Sequence, residues 1–318
     1  MKAFTIKTND ENQRLDKFLQ KAVPRLPQTL MYKYIRLKRI KVNNKKCDIS
    51  YRLKQGDLVE LYINDEFFEE SSNKDFLLAS PNIKVLYEDE NILLVDKQAG
   101  LVVHEDNDNS IDTLINRVLH YLYDKKEYNP ELEASFIPAL CNRIDRNTSG
   151  IVMVAKNAEA LRVLNEKIKE REVEKFYLCV VSGHLEKKAD TLTHYHLKNS
   201  NDNTVKVFDK PTKETKTMIT SYRVLEYSKV NTLVEIELKT GRTHQIRAHM
   251  AYIGHPLIGD GKYGINKINM QYGQKQQLLY SYKIRFNFKE NNHILSYLNQ
   301  KEFEVKDVWF KDAFKQKF

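Results

Sequence analysis

The sequence predicts an α+β protein: a mixed, largely antiparallel β-sheet flanked by helices, preceded by a small basic α/β module. Three observations carry that expectation. From Ile83 onward, short β-branched and aromatic runs follow one another with few helical stretches between them, which argues against a doubly wound sheet. Residues 14–36 instead place apolar side chains at helical spacing. Between these regions, residues 64–80 (NDEFFEESSNKDFLLAS) turn acidic and polar and read as a linker. The expected organisation is a module over 1–64, a linker over 65–80 and a larger domain over 81–318.

In the module, Leu15, Phe18, Leu19, Ala22 and Val23 form one apolar stripe over residues 14–23, and Pro24 and Pro27 break the chain. A second helix starts near Thr29 with Leu30, Met31, Tyr34 and Ile35 facing inward, leaving Lys33, Arg36, Lys38 and Arg39 outside. A strand at 40–42, an Asn43-Asn44 turn and a Gly56-Asp57 turn into a strand at 58–63 complete it. Residues 1–64 carry 15 Lys and Arg against 6 Asp and Glu, so the whole net charge of +9 resides in the first fifth of the chain. A small, strongly basic module points to a polyanion partner, nucleic acid above all. A membrane surface fits less well, because the segment lacks aromatic anchors.

No run of eighteen apolar residues is present, so no membrane span is expected. The N-terminal residues lack the apolar centre of a signal peptide. Cys47, Cys141 and Cys179 lie far apart without metal-ligand spacing, as reduced thiols of a cytoplasmic protein do.

In the larger domain, 83–87 and 92–95 read as a hairpin around Asp89-Glu90-Asn91, and 111–123 and 158–169 as helices. Residues 176–181 are apolar on both faces, the mark of a central strand. Further strands are expected at 205–208, 217–227 and 232–239, the last alternating Val234, Ile236 and Leu238 with Glu235 and Glu237.

Two segments carry chemistry. In CNRIDRNTSGIVMVAK (141–156), Asn147-Thr148-Ser149-Gly150 is turn chemistry ahead of a buried apolar run, which puts Asp145 at the mouth of a tight turn. Arg143 and Arg146 flank it and favour the ionised carboxylate. Such a group can act as nucleophile, general base or metal ligand, or simply pair with arginine to cap the turn. In TGRTHQIRAHMAYIGHPLIGDGKYG (240–264), Thr243 is the expected N-cap of a helix running to about Ile253, before Gly254 and Pro256. Ile246, Met250 and Ile253 form its apolar face, while Arg247 projects with His244 close by and requires a carboxylate or phosphate partner. Gly254, Gly259, Gly261 and Gly264 cluster beyond it, which implies a shaped loop.

No metal or nucleotide cofactor is expected. His244 and His249 are five apart without the Glu of a zinc-protease helix, and His194-x-His196 has no Cys or acidic cluster near it. Neither a phosphate-binding glycine loop nor a dinucleotide fingerprint occurs.

The order helix, basic helix, strand, Gly-Asp turn, strand, with RLDKFL and QGDLVEL, resembles the S-four-type RNA-binding domain over about fifty residues. NRIDRNTSG resembles the H-R-L-D-x-x-T-S-G motif of RluA-type pseudouridine synthases. DKQAGLVVH (96–104), KFYLCVVSG (175–183) and TGRTHQIRAHMAYIGHPLIGDGKYG are similar to three further motifs of that family, in the right order, and LLYSYKIRF (278–286) loosely to a fourth. The resemblance spans nearly the whole chain. It departs at Asn142, where the family has His, at Ile144, where it has Leu, and at Gln98-Ala99, where it has a proline-containing pair.

The resemblance implies an isomerase that converts uridine in RNA to pseudouridine, with large-subunit ribosomal RNA the favoured substrate. It implies Asp145 as nucleophile, Tyr177 stacking on uracil and serving as or assisting the base, and Arg247 pairing with Asp145. Arg143 would prop the space left by the flipped nucleotide, Leu279 would line the base pocket, and Arg242 and His244 would contact substrate. Lys33, Arg36, Lys38 and Arg39 would bind RNA. The isomerisation needs no cofactor, and a monomer is the default. The alternative is a non-catalytic RNA-binding or ribosome-assembly protein on the same fold.

Overall fold

The computed structural model describes residues 1–68, 74–105, 110–199, 202 and 204–318. At the N-terminus, β1 (Lys2–Thr5), α1 (Leu15–Ala22), α2 (Gln28–Arg36), β2 (Ile40–Val42) and β3 (Leu58–Leu61) form a separate unit with antiparallel sheet order β1-β3-β2. The stripe of α1 explains why it folds there: Leu15, Phe18 and Leu19 are fully buried against Met31 and Ile35 of α2 and Val59 of β3. Each such side chain contributes about 1.5–3 kcal/mol. Asn43 and Asn44 both take positive φ, +52° and +61°, closing the short turn after β2.

The larger domain holds β4 (Val85–Glu88), β5 (Ile92–Lys97), α3 (Leu114–Asp124), β6 (Ala139–Leu140), β7 (Ser149–Ala155), α4 (Ala158–Lys169), β8 (Val173–Ser182), β9 (Ala189–Asn199) and β10 (Thr204–Phe208). It continues with β11 (Lys216–Tyr227), β12 (Asn231–Leu238), α5 (Gln245–Tyr252), α6 (Asn266–Gln271), β13 (Leu279–Phe286) and β14 (Glu302–Glu304). One sheet runs in the order β10-β9-β11-β12-β8-β13-β7-β5-β4, with β14 on β13 and β6 on β7. Among the described residues only the β13–β7 ladder is parallel, so the expected mixed, largely antiparallel α+β architecture is what the chain adopts.

The central strands are apolar on both faces because both are covered. Phe176, Leu178 and Val180 of β8 enter a core shared with Ala160 and Leu164 of α4 and with Phe310 and Phe314 near the C-terminus. Tyr177, Cys179 and Val181 point to the other side, into a core with Leu114 and Val118 of α3 and Ile246 and Met250 of α5.

Two expectations are corrected. Helix α3 starts at Leu114, three residues late, because the Thr113 hydroxyl accepts from the Asn116 amide and caps it there. The stretch read as a linker is partly structured. Residues 69–73 lie outside the described residues, but a 3-10 turn at Asp75–Leu78 buries Phe76 between Tyr123 and Tyr128. Strand β9 carries His194 and His196 two apart, and its burial alternates between exposed and half-buried along most of its length.

Candidate active site

Asp145 sits in the loop between β6 and β7. The Thr148 amide donates to the Asp145 carbonyl at 3.0 Å and closes the turn. Gly150 then takes φ +116°, and a Cβ there would stand 2.2 Å from the Ser281 carbonyl oxygen, so only glycine lets β7 lie this close to β13. The two departures beside Asp145 make structural contacts. Asn142 accepts from the Met153 amide at 2.7 Å, tying the loop to β7, and Ile144 fills the core.

Helix α5 brings Arg247 to Asp145. The Arg247 Nη1 donates to Asp145 Oδ2 at 2.9 Å, and Nε and Nη2 grip both oxygens of Asp260 at 2.7 and 2.9 Å. Asp260 is fully buried, Arg247 nearly so, and Asp145 about a quarter exposed. Burial alone would push the Asp260 carboxyl up, but Arg247 and the amides of Tyr263 and Lys262 outweigh it and hold the group below the usual carboxylate range. Asp260 therefore locks the guanidinium from behind, and the remaining Nη1 points at the half-open carboxylate of Asp145. The partner of Asp145 is thus Arg247; Arg143 is exposed, and its field falls on His104.

The helix start differs from expectation. Thr243 does not cap α5; His244 holds the N-cap position with φ +48° and makes no side-chain cap bond. The Gln245 side chain serves the turn in its place, accepting from the Arg242 amide and the Thr240 hydroxyl and donating to Ile219 O and Thr220 Oγ1. This twist aims the buried His244 ring at Tyr263, with Nδ1 2.9 Å from the phenolic oxygen.

Tyr177 lies on β8 opposite Ser281 of β13, two residues from Leu279, which shares its face. Burial pushes its phenol up to about 12, the Asp145 charge adds to this, and the Ser281 hydroxyl opposes it. The Tyr263 phenol, whose ring stacks 5.4 Å from the Arg247 guanidinium, is likewise pushed up to about 12 by burial.

The structure therefore brings Asp145, Arg247, Tyr177, His244 and Leu279 into one neighbourhood. Arg143 stands at its exposed rim, and Arg242 is exposed beside β11, donating Nε to the Thr217 carbonyl at 3.2 Å. Lys33, Arg36, Lys38 and Arg39 are all exposed, on α2 and the turn after it. Among the described residues no group of three or more His, Cys, Asp or Glu side chains is placed to hold a metal.

Sequence reasoning missed Asp260, Tyr263 and Lys97. The first two stand in the glycine-rich loop, and the need of Arg247 for a carboxylate was the signal that could have found Asp260. Lys97 is almost fully buried behind the Asp145 loop, where its ammonium donates to the carbonyls of Gln98, Leu101 and Arg146 at 2.8–2.9 Å. Burial pulls it down to about 7, against the favourable field of Asp145. It staples two loops together beside Asp145, and no local pattern announces that.

A carboxylate held half-open by a buried arginine, in the loop leading into an interior strand of a two-sided sheet and joined to a basic module, is the arrangement expected of an enzyme acting on a polyanion. A family model described as RNA pseudouridylate synthase matches residues 91–252, and one for the S4 domain matches residues 13–59. An uncharacterized RNA pseudouridine synthase of Mycoplasma genitalium is 34% identical over 317 residues, covering 96% of this chain and 97% of that one. The ribosomal large subunit pseudouridine synthase C of Buchnera aphidicola (subspecies Baizongia pistaciae) is 35% identical over 273 residues, 83% of this chain and 81% of its own. Among solved structures, human RNA pseudouridylate synthase domain containing 1 superposes with a TM-score of 0.53 at 25% identity, over 66% of this chain and 80% of that one. The chain belongs to the RNA pseudouridine synthase family and is an isomerase acting on uridine in RNA.

Proposed function

We propose that this enzyme isomerises uridines of large-subunit ribosomal RNA, with Asp145 as nucleophile. The observation that carries the role of Asp145 is the Arg247–Asp260 clamp: a buried guanidinium whose one outward N–H holds a partly exposed carboxylate as an oriented anion. The substrate class rests on the basic module and on the relatives named for the large ribosomal subunit.

A uridine stacked in an RNA helix cannot reach Asp145, so it is flipped out, at a cost of a few kcal/mol that phosphate contacts of Lys33, Arg36, Lys38 and Arg39 help to offset. Asp145 attacks the flipped nucleotide at C6 of the base or at C1′ of the ribose. The C1′–N1 bond breaks, the uracil turns, a C1′–C5 bond forms, and the bond to Asp145 breaks with its electron pair returning to the carboxylate. The C5 proton leaves and N1 gains one, so the change is a net isomerisation with no redox partner. Burial keeps the Tyr177 phenol neutral at pH 7, so it stacks on the uracil and assists removal of the C5 proton without standing as a phenolate. Leu279, on the same face, bounds the base pocket, while Arg143 at the rim fills the place the nucleotide leaves. His244 and Arg242 hold the substrate from the α5 side.

Mapping pseudouridine in total RNA of cells without this gene, rescued by wild type or by Asp145→Asn, tests the proposal. Sites in large-subunit ribosomal RNA should vanish on deletion and return only with wild type. Return with Asp145→Asn removes the nucleophile; sites confined to other RNAs remove the substrate.

A further inference from the structure

His194 and His196 stand two apart on β9 and share one face, yet only one of them is used. His194 Nδ1 lies 2.7 Å from Nε2 of the buried His249, whose Nδ1 meets Thr220 Oγ1 at 2.9 Å. That chain anchors α5 to β9 and β11, and it absorbs His194. His196 is 6% exposed, and both of its ring nitrogens are shut off from water without a hydrogen-bond partner. An imidazole carries at least one N–H donor, and buried polar atoms are nearly always paired. Its state calls for an explanation.

The surroundings supply only positive charge. Lys216 of β11 is the cross-strand register partner of His196, and its side chain lies exposed on the same face. The exposed Arg242 guanidinium donates Nε to the carbonyl of Thr217, the next residue along β11. On the β10 side the register partner is the apolar Val207. Burial first, then the fields of Arg242 and Lys216, hold the imidazole below its ordinary range, and no carboxylate contributes. Two cations on flexible stems over an imidazole with an unmet N–H form the donor set of an oxyanion site. The position along the chain says which oxyanion. Arg242 stands two residues before His244, which lies in the field of Asp145 and shares Tyr263 with the Val205 amide of β10.

We propose that His196, Lys216 and Arg242 form a subsite for a backbone phosphate of the RNA, next to the flipped nucleotide. The proposal extends the substrate contacts of the synthase reading and rests on it. Lys216 and Arg242 swing onto the phosphate, uncover the imidazole, and the His196 N–H donates to a phosphate oxygen. No bond is made or broken.

The test uses the full-length protein and two probes: a five-nucleotide oligouridylate, and the same oligomer with uncharged methylphosphonate linkages. The Cε1–H resonance of His196, identified by its loss in His196→Gln, should shift with the phosphate oligomer and stay still with the analogue. Lys216→Gln, at an exposed position that leaves the core untouched, should weaken oligouridylate binding about fivefold and reduce the salt slope by about one. His196→Gln should weaken it by a similar factor, about fivefold. A His196 signal indifferent to saturating oligouridylate overturns the subsite, as do affinities of both variants within twofold of wild type. Turnover of a large-subunit ribosomal RNA transcript by wild type is measured alongside. Turnover without a His196 response overturns the subsite alone; a response without turnover overturns its place beside a flipped uridine and the reading it rests on.

Discussion

Around Asp145 the charges are largely buried and committed to one another, whereas the cations on and after α2 of the N-terminal module stand in water. Arg247 spends three hydrogen bonds on two carboxylates, Asp145 and Asp260. Lys33, Arg36, Lys38 and Arg39 are exposed and, among the described residues, none of them is in an ion pair; only Arg39 leans on the Tyr34 ring at 5.5 Å. A buried network fixes geometry and loses function when a single partner is removed. A solvated cluster works by summed charge, so its members count about equally and salt weakens it. Chemistry and docking should therefore fail in different ways.

The largest break is at Asp145. Asp145→Asn should lower single-turnover pseudouridine formation by roughly 10⁴-fold or more while RNA binding persists, because the side chain keeps its shape and loses the charge that the proposed nucleophilic role needs. Next comes Asp260→Ala, which leaves Arg247 buried beside an emptied partner. Breaking such a pair from one side costs about 3–5 kcal/mol. Urea unfolding should register that loss, and turnover should fall with it, because Arg247 is no longer held toward Asp145. Full stability in Asp260→Ala would mean the clamp contributes nothing to rigidity.

The docking surface should answer differently. Replacing Lys33, Arg36, Lys38 and Arg39 together by glutamine should flatten the slope of log affinity against log salt by about three, close to 0.7–0.9 per lost phosphate contact. Fluorescence anisotropy against an RNA transcript at several salt concentrations reads this directly. An unchanged slope would move the docking surface off the module. No single one of the four should dominate, in contrast to Asp145 and Asp260.

The same contrast explains what the sequence disclosed. Exposed charge is additive and visible in composition, so the basic module was legible from residue counts. The two-sided core was legible from alternation, as in residues 176–181, and so was the α+β class. Asp145, Tyr177 and Arg247 were legible as members of separate segments, but their meeting depends on the β7–β13–β8 pairing and on α5, which no local pattern states. Asp260 lay in view between Gly259 and Gly261, in a loop read only for its backbone. The N-cap of α5 was misread because a left-handed histidine is uncommon and has no sequence signature.

The smallest effect sharpens the comparison from a third place, where half-buried and exposed ions hold structure only. Glu88 at the end of β4 accepts from Lys125 at 2.7 Å, Lys156 at 3.0 Å and Tyr121 at 2.8 Å, joining the edge hairpin to α3 and to the residue after β7. Burial would raise its carboxyl, but these three donors outweigh burial and pull it down to about 2, from 4.5. A carboxyl lowered on folding adds stability that is complete above pH 4.5 and is lost as pH falls toward 2. Because the exposed Lys125 shares its charge with solvent, the contribution is about 1–2 kcal/mol at neutral pH. Glu88→Gln should therefore lower stability at pH 7 and flatten its decline between pH 5 and 3, measured by urea unfolding at each pH. Its turnover should follow the folded fraction alone, because Glu88 has no bond to Asp145, Arg247 or Asp260. If Glu88→Gln kept the full acid sensitivity of wild type, the decline would have to be reassigned to other carboxylates, with Asp260 the first to examine, and the separation between structural and catalytic charge would narrow.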